Sequence, residues 1–242
     1  MTRAETTPQP SAETVTREPR YASGGRGNYD IVMALFCSFL LISNVGATKL
    51  IQFGPSVNVG SFPLLPIITD GGAFLFPLTY IFGDVLAEVY GMAKARRAIL
   101  VGFVISVLAS VVFLTVDSAP PASDWPHQDA WHAVLGFVPR IVIASLAGYL
   151  AGQFLNAWVL VRMKARTREG SLWARLLGST VVGELADTAI FCTIAFGGLI
   201  PTGTLLNYIA VGYVYKVLVE ALFLPITYRV IALVKRHEPD YA

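Results

Sequence analysis

ILVGFVISVLASVVFLTV, residues 99–116, is a run of apolar and small residues that contains no charged side chain. A helix needs about 20 mainly apolar residues to cross the hydrocarbon core of a bilayer. Similar stretches recur along the chain after residue 28. Of the 242 residues, 55% are hydrophobic and 14% are charged, and the mean hydropathy is +0.60. This composition predicts a membrane protein and excludes an ordinary soluble domain.

The recurring apolar stretches predict an all-α, polytopic membrane protein that consists of a bundle of six transmembrane helices. The spans are predicted at residues 29–50, 72–92, 97–116, 138–162, 172–197 and 204–234. Between the first two lies GPSVNVGSFPLLPIITDGG, whose proline spacing favours a loop over a re-entrant segment. The six-span membrane domain is expected at residues 29–236. A polar tail at 1–28 is expected to be disordered and cytoplasmic, and 237–242 to be a short cytoplasmic tail.

Lysine and arginine alternate between the connections of this predicted bundle. They are frequent before residue 28, at 94–97, at 162–175 and near the carboxyl end. They are absent from the connections at about 51–71, 117–137 and 198–203. Because basic loops stay in the cytoplasm, both termini are predicted to be cytoplasmic. The predicted location is the inner (cytoplasmic) membrane, with multiple passes.

Ionisable side chains cluster inside the predicted spans. Asp84 and Glu88 lie one helical turn apart, as do Glu184 and Asp187, and Lys216 lies in the sixth span. An ionisable group at the bilayer centre costs at least about 2.5 kcal/mol, so each needs a partner or a function. Polar faces on five spans predict an interior cavity or helix-to-helix contacts. The candidate substrate-binding residues are Asn44, Asp84, Glu88, Gln153, Asn156, Glu184, Asp187, Phe191, Tyr213 and Lys216.

A structural explanation stays open, in which Asp84, Glu88 or Glu220 neutralises Lys216 or Arg140 and holds helices together. Carboxylates in the spans outnumber the cations that lie deep in the membrane. Cations near the span ends do not balance them, because their long side chains can reach water. That excess predicts either a carboxyl that keeps its proton or a ligand that donates hydrogen bonds. Both are properties of transporters.

Other classes of function lack their sequence signals. No HExxH, GxSxG or GxxxxGK[ST] motif occurs, so neither an enzyme nor direct use of ATP is predicted. Cys37 and Cys192 lie in apolar runs without CxxC spacing, and no metal site or cofactor is predicted. The net charge of +2, with basic residues mostly in short connections rather than in a continuous patch, excludes a nucleic-acid partner.

Five stretches, in this order, carry a resemblance to a known family. They are SNVGATK (43–49), GAFLFPLTYIFGDVLAEVYGMAKARRAI (72–99), RIVIASLAGYLAGQFLNAWV (140–159), RLLGSTVVGELADTAIFCTIAF (175–196) and YKVLVEALFLP (215–225). Together they resemble the queuosine precursor transporter family, also described as vitamin-uptake-transporter-like. The positions that the family pattern highlights here are Asn44, Lys49, Asp84, Glu88, Tyr90, Gly91, Arg96, Arg97, Arg140, Gln153, Arg175, Ser179, Thr180, Asp187 and Lys216. The chain departs from the pattern at Asn156, where the family often has Asp, and at Glu184, where it has Gln or Asn.

The resemblance implies import of 7-deazapurines, such as the nitrile and aminomethyl 7-deazaguanines (preQ0 and preQ1) or queuine. Asp187 or Glu184 is expected to accept hydrogen bonds from the guanine-like edge. Lys216, Gln153 or Asn44 is expected to donate to its oxygen, and Phe191 or Tyr213 to cover its ring. The expected partners are this small molecule and membrane lipid, with a homodimer left open. The alternative function is the substrate-binding subunit of an energy-coupling-factor vitamin importer, and a membrane enzyme or a scaffold ranks below both.

Overall fold

A computed structural model describes Tyr21 and residues 27–59, 62–167 and 172–238 of the protein. The helices are α1 Tyr29–Gly46, α2 Phe76–Tyr90, α3 Met92–Ser118, α4 Gln128–Val134, α5 Val138–Thr167, α6 Leu172–Phe196 and α7 Thr202–His237. The strands are β1 Leu50–Val59 and β2 Phe62–Asp70, and a short 3-10 helix covers Gly71–Phe74. Most of the tail predicted at 1–28, and residues 239–242 of the other tail, lie outside the described residues.

The predicted helical class is confirmed, and each predicted span contains one helix. Within the described ranges, four segments are long and apolar enough to cross a membrane. They are Tyr29–Gly46, Met92–Ser118, Gln128–Val159 and Thr202–His237. Helix α2 has 15 residues, fewer than the roughly 20 of a typical span. Six spans therefore remain a prediction, while a multi-pass membrane protein is supported.

The connection between α1 and α2 is a β-hairpin, which corrects the expected loop. Strands β1 and β2 pair antiparallel, from Leu50 opposite Asp70 to Val59 opposite Phe62. Proline is tolerated because each member of a two-stranded sheet is an edge strand. The register is irregular around Val57, and Gly54 nearby has a φ of 90° that suits glycine. Both strands contain β-branched residues, among them Val57, Val59, Ile67 and Ile68, which favour an extended backbone where the prolines predicted a loop.

Helices α5 and α6 approach closely through glycine. A Cβ atom at Gly152 would lie 2.9 Å from the carbonyl oxygen of Gly183, and one at Gly148 would lie 2.8 Å from that of Asp187. Small residues at such crossings let helix backbones approach within van der Waals distance. This contact brings the acidic stretch of α6 to the middle of the bundle.

The beginning of α1 and the end of α7 lie at the same end of the molecule. The backbone N–H of Asn28 donates to Glu238 Oε1 over 2.7 Å, and the hydroxyl of Tyr90 donates to the same oxygen over 2.5 Å. The hydroxyl of Tyr29 donates to the carbonyl of Lys94 at the start of α3. We call this end the terminal end, and the opposite end, with the hairpin and α4, the far end.

A packed apolar layer fills the far end. It includes Ile68 of the hairpin, Ile141 of α5, Cys192 and Phe196 of α6, and Tyr208 of α7, all of them buried. The rings of Phe196 and Tyr208 meet edge to face at 5.5 Å. The hairpin is therefore part of the core at this end.

Candidate functional site

A cavity of about 480 Å³ lies in the centre of the bundle. Its lining comes from α1, α2, α3, α5, α6, α7 and the base of the hairpin. Eight of the ten predicted substrate-binding residues line it: Asn44, Asp84, Gln153, Asn156, Glu184, Asp187, Phe191 and Lys216. The other two, Glu88 and Tyr213, are not among the described residues that line it. Sequence periodicity thus predicted which helix faces converge, and the binding roles remain predictions.

Lys216 is the cation at the centre of the cavity. Its Nζ donates to Asp187 Oδ2 in an ion pair and lies 3.7 Å from Glu184 Oε2. All three side chains are largely buried. Acids therefore do neutralise Lys216, as the structural explanation proposed, and the acids that do so are Asp187 and Glu184. Removing any one side chain from such a buried set of ion pairs is destabilising, because the remaining side chains stay charged and buried without their partner.

Two aromatic rings of α2 form one wall of this charged centre. Lys216 Nζ lies 5.0 Å from the centroid of the Phe76 ring, and the rings of Phe76 and Tyr80 are 4.4 Å apart. The hydroxyl of Tyr80 donates to Glu184 Oε1 over 2.6 Å. Sequence reasoning missed both rings. Their signal was present, since Phe76 and Tyr80 precede Asp84 at four-residue intervals on one helix face.

Asp70 and Tyr208 form the floor of the cavity towards the far end. The hydroxyl of Tyr208 donates to Asp70 Oδ2, and the N–H of Gly72 donates to Asp70 Oδ1 over 2.7 Å. Sequence reasoning missed Asp70 because it was assigned to a loop. No helical periodicity could have found it, since it reaches the cavity through the strand pairing of the hairpin.

Glu88 and Arg140 lie outside the charged centre. Glu88 accepts from Lys235 Nζ over 2.8 Å at the terminal end and is more than half exposed. Arg140 donates to the carbonyl oxygens of Ile194 and Gly197, both over 2.7 Å. Arg140 therefore pairs with backbone carbonyl groups at the carboxyl end of α6 rather than with an acid. The side chains of Arg175, Ser179 and Thr180, which the family resemblance highlighted, lie outside what the structure describes.

The cavity is open towards the terminal end and closed towards the far end. Met92 and Arg96, which line it at the start of α3, are exposed. Thr188, Cys192 and Tyr208, which line it near the hairpin, are almost fully buried. Among the described residues, no three His, Cys, Asp or Glu side chains gather as a metal ion would require. The arrangement suits a small ligand that enters from the terminal end and donates hydrogen bonds.

Comparison with known proteins points to transporters. A family model described as "Putative vitamin uptake transporter" matches residues 70–230. A "Probable queuosine precursor transporter" of Bacillus subtilis (strain 168) is 33% identical over 158 residues, which are 65% of this chain and 69% of that protein. The "Queuosine precursor transporter" of Escherichia coli (strain K12) is 31% identical over 133 residues, 55% of this chain and 58% of that protein.

A third relative, a "Probable queuosine precursor transporter" of Haemophilus influenzae, is 30% identical over 125 residues, 52% of this chain and 51% of that protein. The chain thus spans little more than half the length of two of these relatives. No solved structure matches. The family match begins at Asp70 on the cavity floor and extends into the second half of α7, so it includes most of the cavity lining. The chain belongs to the vitamin uptake transporter family, a family of transporters rather than enzymes that includes the queuosine precursor transporters.

Proposed function

We propose that the protein imports queuosine precursors across the cytoplasmic membrane and binds them in the central cavity. The substrates are 7-deazapurines of the preQ0, preQ1 or queuine type. The names of the relatives support this substrate class. In this proposal the six helices α1, α2, α3, α5, α6 and α7 all span the bilayer, and the terminal end faces the cytoplasm. The basic residues at that end, together with the contact between Asn28 and Glu238, support the orientation.

One observation carries the proposal: largely buried acids and a lysine meet beside two aromatic rings in the central cavity. A guanine-like edge presents an N–H and an exocyclic amine side by side, which a carboxylate can accept in parallel. Glu184 is the candidate for this carboxylate. Tyr80 donates to its Oε1, and its Oε2, which lies 3.7 Å from Lys216 Nζ, accepts no hydrogen bond within the described residues. Lys216 has further protons to donate to the ring oxygen of the substrate.

Flat rings suit the rest of the cavity. Phe76 and Tyr80 on α2 and Phe191 on α6 line it, so a bicyclic heterocycle can contact an aromatic surface. Tyr213, which the sequence suggested for this role, does not belong to the described lining. An adenine-like solute would place its own acceptor against the acceptor oxygen of Glu184 and would bind less tightly.

The test is uptake in a strain that cannot synthesise queuosine and has no energy-coupling-factor module. Cells that express the chain are supplied with preQ0 or preQ1, and queuosine in their tRNA is measured. We expect queuosine in cells with the chain and none in cells with the empty vector. Uptake only when a coupling module is added would favour the alternative of a substrate-binding subunit. Absence of uptake in both hosts would refute transport of these compounds.

A further inference from the structure

Asp84 is the acid of the described cavity lining that has no counter-ion among the described residues. The lining contains three further acids, all of which have partners given above: Asp70, Glu184 and Asp187. The two cations of that lining are Arg96 and Lys216, and neither forms an ion pair with Asp84. Its carboxylate is therefore available to a ligand in a way that the other three are not.

Asp84 lies on the face of α2 that lines the cavity. The residues of that face follow one another at helical spacing: Phe76, Thr79, Tyr80, Gly83, Asp84 and Ala87. The next two residues of α2, Val85 and Leu86, are completely buried in the packed side of the helix, whereas Asp84 is exposed. Its neighbours on the cavity face, Gly83 and Ala87, are small, so they leave space around the carboxylate.

Aromatic rings accompany Asp84 on two helices. On α2, Tyr80 precedes it by one turn and lines the cavity with it. On α1, the ring of Phe36 also lines the cavity, and a Cβ atom at Gly83 would lie 3.9 Å from this ring. A carboxylate beside aromatic faces is a suitable site for an organic ammonium group, which both kinds of group attract.

The charges around Asp84 also favour a cation. Glu220 on α7 lies close enough to Asp84 and Glu184 for both of their negative charges to act on it. Lys216 is already engaged by Asp187 and Glu184. The surroundings of Asp84 therefore carry an excess of negative charge, which a positively charged group on a ligand would reduce.

We infer that Asp84 binds a positively charged substituent of the substrate and thereby favours preQ1 over preQ0. The inference rests on the proposed function, because it takes a 7-deazapurine as the ligand. The aminomethyl group of preQ1 is a primary amine, which is protonated near neutral pH as a lysine is, whereas the nitrile of preQ0 has no charge. The two compounds share one ring system, so Asp84 should contribute to the binding of the first and not of the second.

The test measures dissociation constants of the purified full chain for preQ1 and preQ0. Asp84→Asn removes the charge and keeps the size of the side chain. Glu88→Gln makes the matching change one turn further along α2, at an exposed acid outside the described lining. We expect Asp84→Asn to weaken binding of preQ1 by about tenfold and binding of preQ0 by less than about twofold. Glu88→Gln should resemble the wild type with both compounds.

The outcomes separate this inference from the proposed function. If the wild type binds neither compound, the proposed substrate class fails. If the wild type binds preQ0 alone, or if Asp84→Asn weakens neither compound or both equally, Asp84 does not bind the charged substituent. An equal effect of Glu88→Gln on preQ1 would show a general influence of charge and would also overturn the inference. If Asp84→Asn does not purify as a monodisperse protein, Asp84→Ser replaces it in the same comparison.

A second measurement distinguishes the ammonium group of the substrate from an inorganic cation at the same carboxylate. Binding of preQ0 to the wild type is compared in sodium chloride and in choline chloride. We expect equal affinities, because Asp84 has no part in binding the neutral compound. Weaker binding in choline, with no such difference in Asp84→Asn, would assign Asp84 to the inorganic cation and overturn the inference.

Discussion

At the scale of single residues, Asp84, Glu88, Glu184 and Asp187 look alike in the sequence but differ in the structure. All four are acids at helical spacing in apolar segments. Asp84, Glu184 and Asp187 line the cavity, whereas Glu88 pairs with Lys235 at the terminal end. Spacing predicts a shared face within one helix, but it does not predict how deep that face lies or which neighbour covers it. Depth depends on helix-to-helix packing, which no local pattern encodes.

This difference makes Glu88 a matched control for Glu184. Glu184→Ala removes an acceptor from an enclosed site and should weaken precursor binding roughly tenfold to a hundredfold, the effect of losing a charged hydrogen bond worth about 1.5 to 3 kcal/mol. Glu88→Ala changes an exposed acid outside the described lining and should leave binding unchanged. Isothermal titration of both purified variants provides the comparison. Equal effects of the two substitutions would argue against the cavity as the binding site.

Lys216 should be needed for stability as well as for binding. Lys216→Met leaves Asp187 and Glu184 buried without their cation and should lower the free energy of unfolding by about 3 to 5 kcal/mol. Replacing Asp187 as well, as in Lys216→Met with Asp187→Leu, should restore part of that stability, because only Glu184 then stays buried without the cation and it keeps its bond to Tyr80. Precursor binding should stay lost. Thermal unfolding in detergent tests this, and a double variant no more stable than the single one would contradict it.

At the scale of elements, the long helices were predictable and the hairpin was not. A membrane span can be recognised in a sequence as a continuous apolar run, because the thickness of the bilayer sets its length. A strand pair depends on a partner up to twenty residues away, and its alternation was interrupted here by Pro55, Pro63 and Pro66. The missed hairpin also concealed Asp70. An error about one element therefore became an error about the site.

The hairpin closes the far end through its contact with α7. The N–H of Ile68 donates to Asn207 Oδ1 over 3.3 Å, and Asp70 accepts from Tyr208. If import needs this end to open, fixing the hairpin to α7 should stop transport but spare binding from the terminal end. Ile68→Cys with Asn207→Cys, in a background without Cys37 and Cys192, allows a short thiol cross-linker to join the two elements.

Uptake by proteoliposomes should fall to background after cross-linking, while the dissociation constant of the purified protein should change little. Each single-cysteine variant, treated with the same reagent, serves as its control. Full uptake after complete cross-linking would show that the hairpin and α7 need not separate.

At the scale of the whole molecule, alternating charge predicted an orientation that the fold can accommodate. Two independent features agree: the basic connections alternate, and the first and last long helices meet at one end. Because polar faces on five spans must converge, the sequence predicted either a central cavity or helix-to-helix contacts, and the structure has a central cavity. Its shape could not, since it depends on the glycine contacts between α5 and α6 and on the hairpin floor.

Orientation can be tested by labelling in intact cells. In a background without Cys37 and Cys192, Ser123→Cys at the far end should react with a membrane-impermeant maleimide. Ala93→Cys at the terminal end should react only after permeabilisation. Both positions are exposed in the structure. The reverse pattern, or labelling of both positions from outside, would overturn the proposed topology.

The contact of Glu238 with Asn28 and Tyr90 also has a consequence for how the protein is made. A polypeptide grows from its amino end, yet the first amide before α1 is bound by a carboxylate 210 residues later. Until the ribosome has produced that carboxylate, the N–H of Asn28 and the hydroxyl of Tyr90 must find other partners, such as water or lipid headgroups. Closure of the terminal end by this contact therefore has to wait until Glu238, beyond the end of α7, has been synthesised.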